Sequence, residues 1–306
     1  MKTRSSKYKQ IEPKDIKKVT KKENKKEPKK EEQDKTSKIK KVLTIIIIII
    51  SLILIYGSLV ETKQFKIKEY KIDATVDKEF NGLKIVQLSD IHYGRTTNKK
   101  ELEKIINKTN ELKPDIIFFT GNLIDKNIKP SDKRKKDLTN ILKKLECTLY
   151  KYAVLGNEDL VDDSYKEILI NSNFKILENE STLLFYNSNT PIEIIGLNPS
   201  ETSPKYEIVN QNKNIYKIVL TNEPDQIDKF INYNPNLVLA GHTLGNIINL
   251  PILKDILALD NAKKYNNDYY KINNTELFVS SGIGTSNVKF RLNNKPSINF
   301  YRIYKK

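Results

Sequence analysis

A chain of 306 residues, 38% of them hydrophobic, is long enough to bury a sizeable core and needs no staple to fold. One cysteine, Cys147, excludes an internal disulfide. The formal net charge of +16 is uneven, because residues 1–41 carry 17 Lys and Arg against 7 Asp and Glu.

That first stretch has only Ile11, Ile16, Val19 and Ile39 as aliphatics, with Pro13 and Pro28 interrupting any helix. It cannot bury enough surface to offset its ordering entropy, so residues 1–41 are expected to be a disordered basic tail. Residues 42–60, VLTIIIIIISLILIYGSLV, are 19 uncharged residues, close to the ~20 that a helix needs to cross the hydrocarbon layer. A strand would be far shorter, a core helix would show a polar stripe, and no Ala-x-Ala pattern marks a cleavage site. Lys38, Lys40 and Lys41 flank this span, so the positive-inside rule puts the tail in the cytoplasm and residues 61–306 on the other side. Membrane lipid is then an expected partner, through the span and through the tail on anionic headgroups. Nucleic acid is not, since the basic excess is cut off by the span and carries no interleaved aromatics.

From about residue 64 apolar runs alternate with helical patterns. LKIVQLSD (83–90) is a short strand, and Leu102, Ile105, Ile106 and Leu112 recur at helical spacing behind Asn98 and Glu101 in capping-box register. Pro114-Asp115 ends that helix before the strand IIFFTGN (116–122). Leu138, Ile141, Leu142 and Leu145 mark another helix, and YAVLGNE (152–158), IEIIGL, YKIVLTNEP and LVLAGHT are further strands. Each finishes in Gly, Asn, Thr or His, and in α/β sheets ligand sites lie beyond the carboxyl ends of strands. The closing residues are strand-like without intervening helix, which predicts a mixed sheet. Lys289 and Arg291 in that region either face a phosphate or, the favoured reading, are exposed strand charges.

Five motifs stand at these strand ends in order: SDIHYG (89–94), TGNLID (120–125), LGNEDL (155–160), LTNEPD (220–225) and AGHTLGNIINLP (240–251). Together they resemble the calcineurin-like metallophosphoesterases, in particular a membrane-associated bacterial branch that includes relatives of UDP-2,3-diacylglucosamine pyrophosphatase. The resemblance spans residues 80–303. It implies a four-layer αββα sandwich and two divalent metals (manganese, iron, zinc or magnesium) that clamp a phosphate and activate a water.

Carried over by position, the resemblance makes Asp90 and His92 ligands of the first metal and Asn157 and His242 ligands of the second. Asn122 stands where the family has a bridging Asp, Asn222 where it has a lone His, and Leu244 where it has a final His ligand. Glu158 replaces the family's catalytic His, and Asp125 is its neighbour behind the ligands. If close, Asp125 and Glu158 are expected to share a proton. His92 and His242 are the only histidines, so no displaced imidazole compensates. The metals are therefore expected to be weakly bound or absent. The resulting reading is an impaired or inactive membrane-anchored phosphoesterase domain that binds a phosphorylated ligand or protein partner. Its alternative is an active enzyme cutting a phosphodiester or lipid-linked pyrophosphate with one or two metals.

Overall fold

The computed structural model describes residues 28–199 and 215–306, with side chains from residue 33 onward. The chain forms two compact units, Met1–Ile50 and Ser51–Lys306. Helix α1 (Pro28–Leu59) starts inside the basic tail, so the disorder expected for residues 1–41 does not hold for 28–41. The reason is local. Pro28 occupies the first helical position, where a missing N–H costs nothing, and the long apolar run beyond supplies a nucleus from which the helix extends backwards. An Asp34–Lys38 ion pair at 2.9 Å adds i,i+4 support. Residues 1–27, the rest of that expectation, lie outside the described residues. Along the apolar run the side chains stand open, Ile47 at 62%.

The second unit contains β1 (Lys66–Ala74), β2 (Lys84–Leu88), α2 (Lys99–Glu111), β3 (Ile116–Thr120), α3 (Asp132–Leu142), β4 (Tyr150–Val154), α4 (Ser164–Asn171), β5 (Phe174–Ile176), β6 (Glu180–Leu184) and β7 (Ile192–Gly196). It continues through β8 (Lys217–Leu220), α5 (Ile227–Phe230), β9 (Leu237–Ala240), α6 (Leu253–Ile256), β10 (Tyr269–Ile272), β11 (Thr275–Val279) and β12 (Ser297–Lys305). Two six-stranded sheets result, in the orders β1-β12-β2-β3-β4-β5 and β10-β11-β9-β8-β7-β6. Both are mixed: β12 runs antiparallel to β2, as do β6 to β7 and β10 to β11, while the central neighbours are parallel.

Fully buried central strands read as continuous apolar runs because both faces are covered. Ile117 and Phe119 of β3 face α2, α3 and α4, whereas Ile116 and Phe118 face Ile218, Leu220 and Leu239 of the other sheet. On the far side Val219 and Val238 pack on Ile227 and Phe230 of α5. These three cores separate four layers, helix, sheet, sheet and helix, which is the αββα sandwich that the motifs implied. The parallel strands β2, β3, β4, β8 and β9 all deliver their carboxyl ends to one edge of the sandwich.

Candidate functional site

That shared edge is stapled from beneath. Gln87 Nε2 donates to Thr120 Oγ1 at 3.0 Å and to Ala240 O at 2.8 Å, joining the ends of β2, β3 and β9 across both sheets. Beyond the strands the backbone pairing continues for a residue or two: Asp90 N–H donates to Gly121 O, His92 N–H to Asn122 O and Gly241 N–H to Asn222 O. The motif residues then turn sharply. Asp90, His92, Asn122, His242 and Leu244 all hold positive φ, between 46° and 70°. Side chains other than Asn and Asp seldom adopt that region, and its cost, on the order of 1–3 kcal/mol each, marks sites built for geometry. Gly156 must be glycine here, since a Cβ would lie 2.2 Å from Asn122 Oδ1.

The centre of the site is a closed amide network. Asn122 Nδ2 donates to Asp90 Oδ1 at 2.9 Å and, more weakly, to Asn222 Oδ1 at 3.4 Å. Asn222 Nδ2 in turn donates to Thr120 O at 2.7 Å. The orientation of Asn122 is not arbitrary, because the Glu158 amide N–H donates to Asn122 Oδ1 at 3.1 Å and would clash with an amide flipped the other way. The other oxygen of Asp90 accepts from Ser89 Oγ at 2.6 Å and from His242 N–H at 2.9 Å. Asp90, Asn122 and Asn222 are all buried, and their polar atoms satisfy one another.

Beside this network lies an open one. Ligand atoms of His92, Asp125 and Glu158, all buried, fall within 4.8 Å of one another. His92 Nδ1 is 3.3 Å from Glu158 Oε2, an ion-pair distance without hydrogen-bond alignment, and among the described residues both ring nitrogens and Asp125 Oδ2 lack a hydrogen-bond partner. Burial is the largest influence on His92 and disfavours its charge, yet Glu158, Asp90 and Asp125 together hold it above its ordinary value. Burial likewise pushes Glu158 up, but His92 and the Lys126 backbone outweigh it and Glu158 sits below the usual range. Asp125 and Glu158 lie close to one another. His92 beside Glu158 favours its ionised form, and Arg95 Nε lies 3.5 Å from Asp125 Oδ2.

His242 Nε2 is 2.9 Å from Asp260 O, a contact in which Nε2 donates to the carbonyl. Asn157 Oδ1 is buried without a partner. Leu244 is fully buried, its methyls against Gly282, which itself abuts Asp90. Two residues were missed at the sequence level. Asp159 accepts three backbone N–H groups, from Asn122, Gly156 and Leu123 at 2.7–2.8 Å, and so ties the loops after β3 and β4 together. Burial pushes its carboxyl up to about 6, with those three donors pulling the other way. Its signal was available, as a carboxylate following a strand-end Gly-Asn.

Arg291 is the second, and it corrects the expectation of an exposed strand charge: it is wholly buried. Its guanidinium donates to the carbonyls of Leu244, Ser281, Gly282 and Gly284 at 2.5–3.2 Å. Burial lowers it to about 10, opposed by Asp90 and Glu61. Only a fork with five donors satisfies carbonyls in that arrangement, and nothing in the pattern around it announces the burial. Lys289, its neighbour, is half-buried and pairs with Glu101.

Two divalent ions about 3.5–4 Å apart repel by roughly 20 kcal/mol at an effective dielectric near 20, and need a shared anion between them. Asn122 presents two amide protons at that place. The Asp90, Asn122 and Asn222 set does not fit a bridged pair of cations, because a donor stands where a ligand should and Asp90 is already engaged. His92, Asp125 and Glu158 fit a single cation better: an imidazole and a carboxylate oxygen of Asp125 without hydrogen-bond partners among the described residues, beside the Glu158 carboxylate.

Two facing mixed sheets with Asp, His and Asn gathered at one edge define a phosphoesterase-type α/β sandwich. The chain belongs to the calcineurin-like phosphoesterase family, whose profile matches residues 83–246. It is similar to YkuE, an uncharacterized metallophosphoesterase of Bacillus subtilis, at 30% identity over 80% of this chain and 86% of the other. It is also similar to the UDP-2,3-diacylglucosamine pyrophosphatase LpxG of Chlamydia muridarum, at 27% identity over 60% and 71%. A transmembrane protein with a metallophosphoesterase domain from Danio rerio is 24% identical over 81% of this chain and 59% of its own. The family implies divalent metals, and α1 is long and apolar enough to cross a membrane.

Proposed function

We propose that this is a membrane-anchored phosphoesterase domain that has exchanged two-metal hydrolysis for recognition of a phosphorylated ligand at the membrane surface. Its tail is cytoplasmic and its domain lies on the opposite side. The observation that carries the reading is the Asn122 amide, held by the Glu158 N–H so that its protons face Asp90 and Asn222. Leu244 removes a further ligand and fills its space. At most one divalent cation is retained, by His92, Asp125 and Glu158, with Asn157 and His242 available to the ligand. The lipid-linked pyrophosphate named for the LpxG relative is the ligand class that best suits an anchored domain.

The second reading is a single-cation hydrolase of the same ligand class, favoured by the unpartnered atoms of His92 and Asp125. Full-length chain in nanodiscs, titrated with manganese and assayed with bis(p-nitrophenyl) phosphate, separates the two. The expected result is no more than one manganese per chain and background turnover, with two manganese and a rise on the order of 100-fold in the Asn122→Asp, Leu244→His double variant. Wild-type chain with one manganese and metal-dependent turnover favours the second reading. Two manganese in the wild type defeat both.

A further inference from the structure

Large aliphatic side chains scattered singly on a surface need no explanation, but a cluster does. Around α6, Ile252 is 74% exposed and Ile256 70%, with Leu253 and Leu257 also open. The pairs 252/256 and 253/257 are four residues apart and so share neighbouring faces of one turn. Val288, at 66%, stands open two residues before Phe290.

The chain traces these two patches to one place. Asn249 N–H donates to Leu292 O, and Asn293 Nδ2 donates back to Asn249 O, which ties the approach to α6 to the 292–293 segment. The same segment holds the end of the apolar helix: Arg291 N–H donates to Gly57 O, and the N–H groups of Asn293 and Asn294 donate to the buried Glu61 carboxylate. A Cβ on Gly57 would lie 2.3 Å from the Phe290 ring, so the helix backbone rests directly on this segment. Alongside, a cavity of about 350 Å³ begins at Thr62 and Lys63 and is lined by Lys100 and Lys104, by Lys289 paired with Glu101, and by Phe65 and Ile105. Cations next to exposed aliphatics, immediately after an apolar helix, match the layering of a bilayer interface with anionic headgroups.

We propose that the α6 turn, with Val288, is a lip that inserts into the interface of the membrane crossed by α1. The lip reaches about 5–10 Å into the headgroup and acyl boundary while Lys63, Lys100 and Lys104 at the cavity meet anionic headgroups. The consequence concerns the site, because His242 Nε2 contacts Asp260 O at the end of this same loop. Seating the lip in the bilayer brings the site to the membrane surface, so that a ligand carried by a lipid reaches it without leaving the bilayer. The proposal rests on α1 crossing a membrane.

The chain contains no tryptophan, which makes single-Trp variants unambiguous reporters. Full-length chain carrying Ile256→Trp is placed in nanodiscs containing anionic lipid, with bromine either near the headgroup or deep in the acyl chain. Ile47→Trp in the apolar run and Ile170→Trp, exposed on α4 beside the β5 edge, are the controls. The expected result is a blue-shifted Ile256→Trp emission quenched more by shallow than by deep bromine, with Ile170→Trp unquenched. An unquenched Ile256→Trp with a quenched Ile47→Trp overturns the lip and leaves the anchor standing. Equal quenching at 256 and 170 also overturns it, as non-specific adsorption. An unquenched Ile47→Trp overturns the anchor and the lip together.

Discussion

Asn122 decides what the site can hold, because a side chain with both a donor and an acceptor can be locked by its neighbours whereas a carboxylate would accept from all of them. Its neighbour pair, His92 and Glu158, carries a pH signature. His92 is held above its ordinary value near 6.5, so its contribution is complete below the unfolded value and is lost as pH rises through the folded one. Glu158 is held below its ordinary value near 4.5, so its contribution is complete above the unfolded value and is lost as pH falls through the folded one. Both are present from about pH 4.5 to 6.5. In chelator, the thermal midpoint of the wild type minus that of Glu158→Gln is therefore expected to peak in that window and shrink on either side. A flat difference would show that the two groups do not interact. Arg291 makes a different kind of demand, since its removal takes the side-chain donor from the buried carbonyls of Ser281 and Gly284, while those of Leu244 and Gly282 keep Asn294 Nδ2 and the Ser297 N–H. Arg291→Met is expected to cost about 3–5 kcal/mol in urea denaturation, and Arg291→Lys to recover only part, because an ammonium cannot span that spread of acceptors.

Among the elements, α2 shows how a local signal survives into the fold. Asn98 Oδ1 accepts from Glu101 N–H at 3.1 Å while Glu101 Oε2 accepts from Asn98 N–H at 2.9 Å, the reciprocal box expected from spacing alone. Asn98→Ala should cost about 1 kcal/mol, read as a shift in the denaturation midpoint with unchanged slope. Apolar periodicity made α2, α3 and the central strands legible, because their burial is set by the sequence pattern itself. The strand ends were not. IIFFTGN was expected to run to residue 122, but β3 stops at Thr120 since Gly121 and Asn122 turn left-handed to enter the site. β1, KIKEYKIDA, escaped notice because it is an edge strand whose charges alternate with few buried positions. At the site itself the motif positions could be assigned by resemblance, yet the orientation of Asn122 and the burial of Arg291 depend on backbone groups distant in sequence. No local pattern encodes those.

At the scale of the whole molecule, the proposed orientation rests on the apolar run and the charges around it. Lys38, Lys40 and Lys41 press on one end of the run, backed by a tail with 17 basic residues against 7 acidic. Moving that density across a membrane is opposed at every lysine, whereas the other end carries Glu61 and Lys63 in near balance. The domain should therefore lie opposite the tail. Cysteine accessibility tests this cleanly, because Cys147 is the one native thiol and is partly shielded, with burial raising its pKa. In a Cys147→Ser background, Lys136→Cys places a fresh thiol on the exposed face of α3. A membrane-impermeant maleimide is expected to label it in right-side-out vesicles and not in sealed inside-out ones. The reverse pattern would put the domain in the cytoplasm while leaving the span intact. Labelling of both, unchanged when the vesicles are opened, would mean that α1 does not divide the chain between two compartments.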